Sequence, residues 1–336
     1  MRITSNPCFV SFAAHTFNHS SQKEYVLQAL NAKKHVLAND PTSVHLKDFV
    51  EELECAKTNG KFIQTTAMFV HQYRVQRFLN HVLQDENFGR INGVDASIQL
   101  QLQPKDLEKV GIVHKLPLRK EDGCIRVLGR FCVLVSTMFF NRVGSYAESA
   151  KVNSWGVGPS GEIVSADCTV QFTNDRKLGF YVAYIHSATR QAIELQATSR
   201  YATMNDFVIE HPDGLATYRV YDREARQCCG DGGDTDKDET SNQSSSSSSP
   251  TNTTNAALHC DSIDVAMGIG QERGLWRSFV RLSQQIDGNH GWEDNEAIAE
   301  CKELTDVALQ MKKILIALMQ SLENGGKEVP VEGCCI

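Results

Sequence analysis

Short apolar runs alternate with amphipathic stretches along the first 88 residues of the chain. Three of these runs have the length of strands that are buried on both faces, and they cover residues 8–14, 35–38 and 61–66. After each run, apolar residues recur at helical spacing, and the last such stretch covers residues 73–83. Because strands and helices alternate, we predict a parallel sheet covered by helices in a first domain, residues 1–88.

The pattern changes near Gly89. Residues 91–102 alternate between apolar and polar positions, as a half-exposed antiparallel strand does. The elements predicted after it are a helix over residues 127–140 and strands over residues 163–172, 178–186, 192–197, 206–210 and 217–221. Helical spacing returns at Leu275 and over residues 295–322. We predict a second domain, residues 89–225 and 261–322, with an open, mostly antiparallel sheet and helices, so that the fold class is α/β followed by α+β.

Two further segments differ from these domains in composition. Residues 226–260 hold an acidic run and a serine run, with few apolar side chains to offset the entropy lost on ordering. We predict a disordered insertion over residues 226–260. A flexible tail is predicted over residues 323–336.

Charge and composition exclude several classes of protein. The net charge of −7 disfavours a general nucleic-acid-binding protein, which needs concentrated Lys and Arg. The longest apolar run, residues 131–140, is about half of the ~20 residues that a membrane helix needs. The 11 cysteines have no regular spacing, which is typical of a reducing compartment. We therefore expect a cytoplasmic protein with no metal site that binds neither nucleic acid nor a membrane.

Two segments carry specific motifs. Residues 34–41 read Lys-His-Val-Leu-Ala-Asn-Asp-Pro after an amphipathic helix, and residues 67–74 read Ala-Met-Phe-Val-His-Gln-Tyr-Arg. By the order and spacing of these motifs, the chain resembles the glucose–fructose oxidoreductase/inositol dehydrogenase (Gfo/Idh/MocA) family, and most closely its dimeric dihydrodiol dehydrogenase-like branch. That family carries Gly-Lys-His-Val followed by Glu-Lys-Pro at the first motif. The resemblance covers residues 8–222 and 270–318.

The resemblance implies a Rossmann nucleotide-binding domain, here without its first strands, and a second domain whose open sheet supports a homodimer. It implies NAD or NADP as the cofactor, and hydride transfer to or from a sugar, a polyol or a dihydrodiol. Without its first strands, the parallel sheet would have an exposed edge strand, formed by residues 8–14. We expect this edge to recruit a protein partner.

The same resemblance points to site residues. By position, Asn39, Asp40 and Pro41 would contact the cofactor, while His71 and Arg74 would bind the substrate. Asp40 and His71 are the candidates for proton transfer, because hydride transfer to a carbonyl also needs an acid or base. Other interpretations remain open for each side chain: Asp40 as a helix cap, His71 as a packing residue and Arg74 as the partner of a surface acid.

The chain departs from the family pattern at three places. No Gly-x-Gly-x-x-Gly/Ala turn precedes a helix near its start. Asp40 stands where the family has the lysine of Glu-Lys-Pro, and a carboxylate cannot replace that cationic donor. In a second motif of the family, Gly129, Phe131 and Val133 occupy the positions of an acid, a glycine and a Tyr or His.

These departures predict a catalytically impaired member of the family, whose scaffold serves dimerisation or partner binding and whose binding of NAD or NADP is doubtful. The alternative is an active NAD(P)-dependent oxidoreductase of sugars, polyols or dihydrodiols, whose N-terminal cofactor-binding part is missing from this chain.

Overall fold

The computed structural model describes residues 9–11, 19–38, 45–65, 67–101, 123–158, 161–185, 189–209, 216–222, 260–265, 270–288 and 296–331. Within these residues the chain forms a three-stranded parallel sheet, here called the small sheet, and a nine-stranded mixed sheet, here called the large sheet. Helices pack on both sheets. This architecture confirms the predicted fold class.

The small sheet has the order β1 (Phe9–Ser11), β2 (His35–Ala38) and β3 (Ile63–Thr65), with all strands parallel. α1 (His19–Asn31) connects β1 to β2, and α2 (Leu46–Thr58) connects β2 to β3. β1 is shorter than the run predicted over residues 8–14, and the other members of that run lie outside the described residues.

The two faces of the small sheet pack against different helices because successive side chains in a strand point to opposite sides. Val36 and Ile63 pack with α1 and α2. Leu37 packs with Phe62 and Leu275, a residue of the C-terminal part of the chain. The small sheet is therefore held in place by the C-terminal helices as well as by its own connections.

The strands of the large sheet are β4 (Ile91–Gln101), β5 (Ala147–Val157), β6 (Ile163–Phe172), β7 (Arg176–Ile185), β8 (Arg190–Ala197), β9 (Arg200–Asn205), β10 (Ala216–Asp222), β11 (Cys260–Val265) and β12 (Val329–Pro330). Their order is β11-β10-β9-β8-β4-β7-β6-β5-β12. β4 and β7 run parallel, and the other neighbouring pairs are antiparallel. One face is buried, with Leu178 and Phe180 in the core. The opposite face, which carries Lys177 and Tyr181, is exposed and is called the open face.

The remaining helical elements are a 3-10 turn (Met68–His71), α3 (Tyr73–Gln84), a 3-10 turn (Glu86–Phe88), a π-helical turn (Ile125–Gly129), α4 (Arg130–Arg142), α5 (Gln271–Gly288) and α6 (Glu296–Glu323). α6 joins the two sheets, because it contacts β3 as well as β5 and β12. None of the helices in the described part of the chain is long and apolar enough to cross a membrane.

Four strands of the large sheet, β5, β9, β11 and β12, have no counterpart in the prediction. In β5 only Ala147, Ala150 and Val152 are buried, so most of the strand has no apolar alternation. β11 buries only Val265. The insertion predicted over residues 226–260 ends in this strand, because Cys260 pairs with β10, and residues 226–259 lie outside the described part.

The strand predicted over residues 206–210 is not formed, because β9 ends at Asn205 and the chain bends over residues 206–209. Gln191 explains the bend: its Oε1 accepts hydrogen bonds from the N–H groups of Val208 and Ile209 at 3.1 and 2.9 Å. These N–H groups therefore need no neighbouring strand.

The chain after α6 also differs from the tail predicted over residues 323–336. β12 pairs with β5, and the N–H of Val331 donates to the carbonyl of Glu148 at 2.8 Å. Val331 is buried. The sequence gives little indication of this pairing, because a two-residue strand is too short to show a hydrophobic period.

Candidate functional site

The motif over residues 67–74 lies where the small sheet meets the large one. β3 ends at Thr65, the 3-10 turn Met68–His71 follows, and α3 begins at Tyr73. α5 packs directly on this turn at Gly274, where an added Cβ would lie 2.8 Å from the carbonyl oxygen of His71. This close approach of two backbones fixes the position of His71.

The side chain of His71 points back toward β3. The Nε2 of Gln64 lies 3.0 Å from the Nε2 of His71, and since an amide nitrogen only donates, the imidazole accepts this hydrogen bond. Burial, and to a smaller extent the charge of Arg281, lowers the pKa of His71 to about 4. His71 is therefore neutral at physiological pH, with its proton on Nδ1.

His71 separates a small inner cavity from a larger outer cleft. The inner cavity, of about 30 Å³, is mostly apolar and includes Phe49 and Leu134. The Oε1 of Gln64, which also lines this cavity, is buried without a hydrogen-bond partner among the described residues. The outer cleft has a volume of about 670 Å³ and runs between α4, α5 and α6.

Arg74 is buried in a different network. Its Nε donates to the Oε1 of Gln72 at 2.7 Å, and its Nη2 donates to the carbonyl of Asp206. The Nε2 of Gln72 donates in turn to the Oε1 of Gln271 at 3.0 Å and to the carbonyl of Val208 at 3.3 Å. The guanidinium thus ties the start of α3 to the bend after β9.

The structure does not bring His71 and Arg74 to a common group. His71 contacts Gln64 and lines the inner cavity, whereas Arg74 contacts Gln72 and Asp206. Their roles in substrate binding, and the role of His71 in proton transfer, stay predictions.

The positions expected to contact a cofactor, Asn39, Asp40 and Pro41, lie outside the described residues. The sequence around them still tests whether a dinucleotide fits. The first glycine of the chain is Gly60, which ends α2 at φ +63°, so the connections before α1 and α2 contain no glycine. A pyrophosphate needs close approach of a backbone without Cβ atoms at such a connection. These residues therefore do not fit the dinucleotide turn that the resemblance implies.

The second motif is packed as a structural helix. An added Cβ at Gly129 would lie 3.0 Å from the ring of Phe180. The ring of Phe131 meets that of Phe69 edge-on, with centroids 5.7 Å apart, and Val133 is fully buried. This segment offers no acid, histidine or tyrosine to a substrate.

Buried amide side chains are the groups that sequence reasoning missed. Gln64, Gln72 and Gln191 are each at most 4% exposed. The partners of the Gln72 amide nitrogen lie 136 and 199 positions away, so no local spacing in the sequence predicts them. One signal was available, since Gln64 interrupts an apolar run that also contains Phe62 and Ile63. Within the described ranges, no group of three or more His, Cys, Asp or Glu side chains is placed to hold a metal ion.

Comparison with solved structures supports the fold. The 3-ketoreductase KijD10 from Actinomadura kijaniata, solved in complex with NADP and TDP-benzene, is similar over 93% of this chain and 78% of its own, with a TM-score of 0.64 and 13% sequence identity. An oxidoreductase from Pseudomonas syringae is similar over 96% of this chain and 78% of its own, with a TM-score of 0.64 and 9% identity. At such identities the likeness shows a common fold and nothing further. No protein-family model and no curated protein matches the chain.

Proposed function

We propose that this protein is a catalytically impaired member of the Gfo/Idh/MocA oxidoreductases, which serves as a scaffold for self-association. The observation that carries this proposal is the engagement of both candidate polar residues inside the protein. Gln64 donates a hydrogen bond to the Nε2 of His71, and the guanidinium of Arg74 donates hydrogen bonds to Gln72 and Asp206.

The chemistry of His71 also disfavours catalysis. A general base works best with a pKa near the pH of the reaction, but the pKa of His71 is lowered to about 4. Arg74 has two of its donor nitrogens directed at protein oxygens, so a substrate oxygen would have to displace these bonds. Neither side chain is poised to assist hydride transfer.

The open face suits contact with a second copy of the chain. Tyr181 is 38% exposed there, and the rings of Tyr201 and Tyr221 stack 4.5 Å apart at an angle of 5° on the same face. Tyrosines on a polar surface are typical of protein–protein interfaces.

The edge of β1 is a second proposed contact, for a protein partner, since β1 pairs only with β2 among the described residues.

Nucleotide titration tests the loss of catalysis. NADH and NADPH fluorescence is followed as purified protein is added, and we expect no saturable binding of either nucleotide. Saturable binding at micromolar protein, with turnover of sugars, polyols or dihydrodiols, would overturn the proposal. It would favour the alternative of an active NAD(P)-dependent oxidoreductase whose N-terminal part is missing from this chain.

Sedimentation velocity tests self-association separately. We expect a dimer for the unchanged chain and a monomer for Tyr181→Glu, because the variant places a charge in the centre of the open face. Tyr146→Glu is the matched control, since Tyr146 is 48% exposed but precedes β5 at the end of the sheet. A monomeric unchanged chain, or a dimer unaffected by Tyr181→Glu, would remove the open face as the interface.

A further inference from the structure

The outer cleft beside His71 combines an apolar floor with a charged rim. Val70, Met138 and Leu304 form the floor, and these three residues also line the inner cavity on the other side of His71. The rim consists of side chains from α4, α5 and α6. An occupant of this cleft would contact apolar and charged groups at the same time.

Two of the three guanidinium groups on the rim are neutralised by carboxylates. The Nη2 of Arg281 lies 2.6 Å from each carboxylate oxygen of Glu300. The Nε of Arg142 donates to the Oε1 of Glu303 at 2.8 Å. These pairs connect α6 to α5 and to α4.

Arg277 is the third guanidinium, and it has no ion-pair partner in the described part of the chain. It is exposed and lies one turn before Arg281 on α5. The next residue, Ser278, also lines the cleft, and its Oγ is buried without a hydrogen-bond partner among the described residues. One positive charge without an ion-pair partner and one hydroxyl without a hydrogen-bond partner among the described residues therefore line the same cleft from successive positions of α5.

We propose that this cleft binds a small organic monocarboxylate, with its carboxylate on Arg277 and Ser278 and its apolar body on Val70, Met138 and Leu304. A guanidinium pairs with a carboxylate through two parallel N–H donors, and the serine hydroxyl supplies a further donor. The site requires neither a nucleotide nor self-association, so it is independent of the proposed function.

The charges of the rim favour a monoanion over a phosphate dianion. Arg277 can compensate one negative charge. A second negative charge on the ligand would be repelled by the carboxylates of Glu300 and Glu303, which already form ion pairs with Arg281 and Arg142. The apolar floor favours an ion with a hydrocarbon body, because such an ion removes that surface from water on binding.

Isothermal titration calorimetry of the full chain with benzoate tests the site. We expect saturable binding of one benzoate per chain. Arg277→Ala should raise the Kd by about tenfold or more, because among the described residues of the rim it removes the one charge that has no ion-pair partner. Arg273→Ala is the matched control, since Arg273 is exposed on the same helix outside the cleft, and it should leave the Kd unchanged.

Ser278→Ala separates binding from folding. Removing a buried hydroxyl that has no partner does not cost the fold a hydrogen bond, so the variant should unfold at the same or a higher temperature while binding benzoate several-fold more weakly. Benzyl alcohol and inorganic phosphate serve as comparison probes. Any of three results would overturn the proposal. These are no binding of benzoate at millimolar concentration, the same Kd for benzyl alcohol as for benzoate, or a lower Kd for phosphate than for benzoate.

Discussion

The Nε2 of His35 lies 3.0 Å from the Oδ1 of Asp287, and this contact joins the start of β2 to the last turn of α5, 252 positions later. The Nδ1 of His35 accepts a hydrogen bond from the N–H of Phe62 at 3.1 Å, so the imidazole proton lies on Nε2 and is donated to Asp287. Burial lowers the pKa of His35 despite the attraction of the carboxylate. A neutral imidazole thus links β2, the start of β3 and α5.

The first prediction concerns the charge of Asp287. Partial burial raises the pKa of this carboxyl, but hydrogen bonds from Lys61 and His35 outweigh that effect and lower it. Asp287→Asn removes the charge and should lower the free energy of unfolding by about 1–2 kcal/mol, measured by urea denaturation at neutral pH. Asp264→Asn, at an exposed position of β11, should change it by less than about 0.5 kcal/mol. Equal effects of the two variants would contradict the prediction.

The second prediction reverses the usual rank of alanine and glycine in a helix. Alanine favours a helix over glycine by about 1 kcal/mol, but a Cβ at Gly274 would lie 2.8 Å from the carbonyl oxygen of His71. Gly274→Ala should therefore destabilise the protein by about 1–3 kcal/mol, measured as a lower unfolding temperature. Gly288→Ala, in the same helix with no heavy atom within 4 Å, should be neutral or stabilising. A stabilised Gly274→Ala variant would show that α5 does not press on the 3-10 turn.

The third prediction concerns the bend after β9. Arg74→Met leaves the Oε1 of Gln72 and the carbonyl of Asp206 without this donor, which costs about 1–3 kcal/mol in unfolding free energy. Because the bend loses its tie to α3, amide hydrogen exchange over residues 206–209 should accelerate more than exchange elsewhere. Arg273→Met, at an exposed position of α5, should leave exchange at the bend unchanged. Unaltered exchange in both variants would mean that Arg74 does not hold the bend.

The elements that could be predicted from the sequence are those that bury a regular set of apolar side chains. β2 buries all four of its residues, and α3 buries Val75, Phe78, Leu79 and Val82 at helical spacing. β5 and β12 lack such a period because one is mostly exposed and the other has two residues. Hydrophobic periodicity reports burial, so it cannot find strands that are held mainly by backbone hydrogen bonds.

The candidate site was predictable only in part, for a different physical reason. His71 was found because it lies in a contiguous motif, and its position in the chain was sufficient to select it. Arg277 lies about 200 residues later on a helix with several arginines, and nothing local shows that it lines the cleft without a carboxylate partner among the described residues. Charge compensation depends on contacts between α5 and α6, and such contacts exist only in the folded chain.

The low pKa of His71 gives the protein a defined pH dependence. An imidazole in the unfolded chain titrates near 6.5, whereas the folded chain holds His71 at about 4. Between these values the unfolded state binds more protons, so the free energy of unfolding rises with pH. The contribution of His71 is fully present above about pH 6.5, falls as the pH falls toward 4, and amounts to about 3 kcal/mol at most.

The fourth prediction uses His71→Gln, which removes this titration and keeps a polar group next to Gln64. Urea unfolding of the unchanged chain at about pH 7.5 and about pH 5 should show a loss of stability at the lower pH. In His71→Gln that loss should be smaller by about 2 kcal/mol, because about 1.5 pH units of the window are crossed. His45→Gln, at an exposed histidine, should lose as much stability as the unchanged chain. If His71→Gln and His45→Gln retain the same pH dependence, His71 is not the buried neutral imidazole that its contacts indicate.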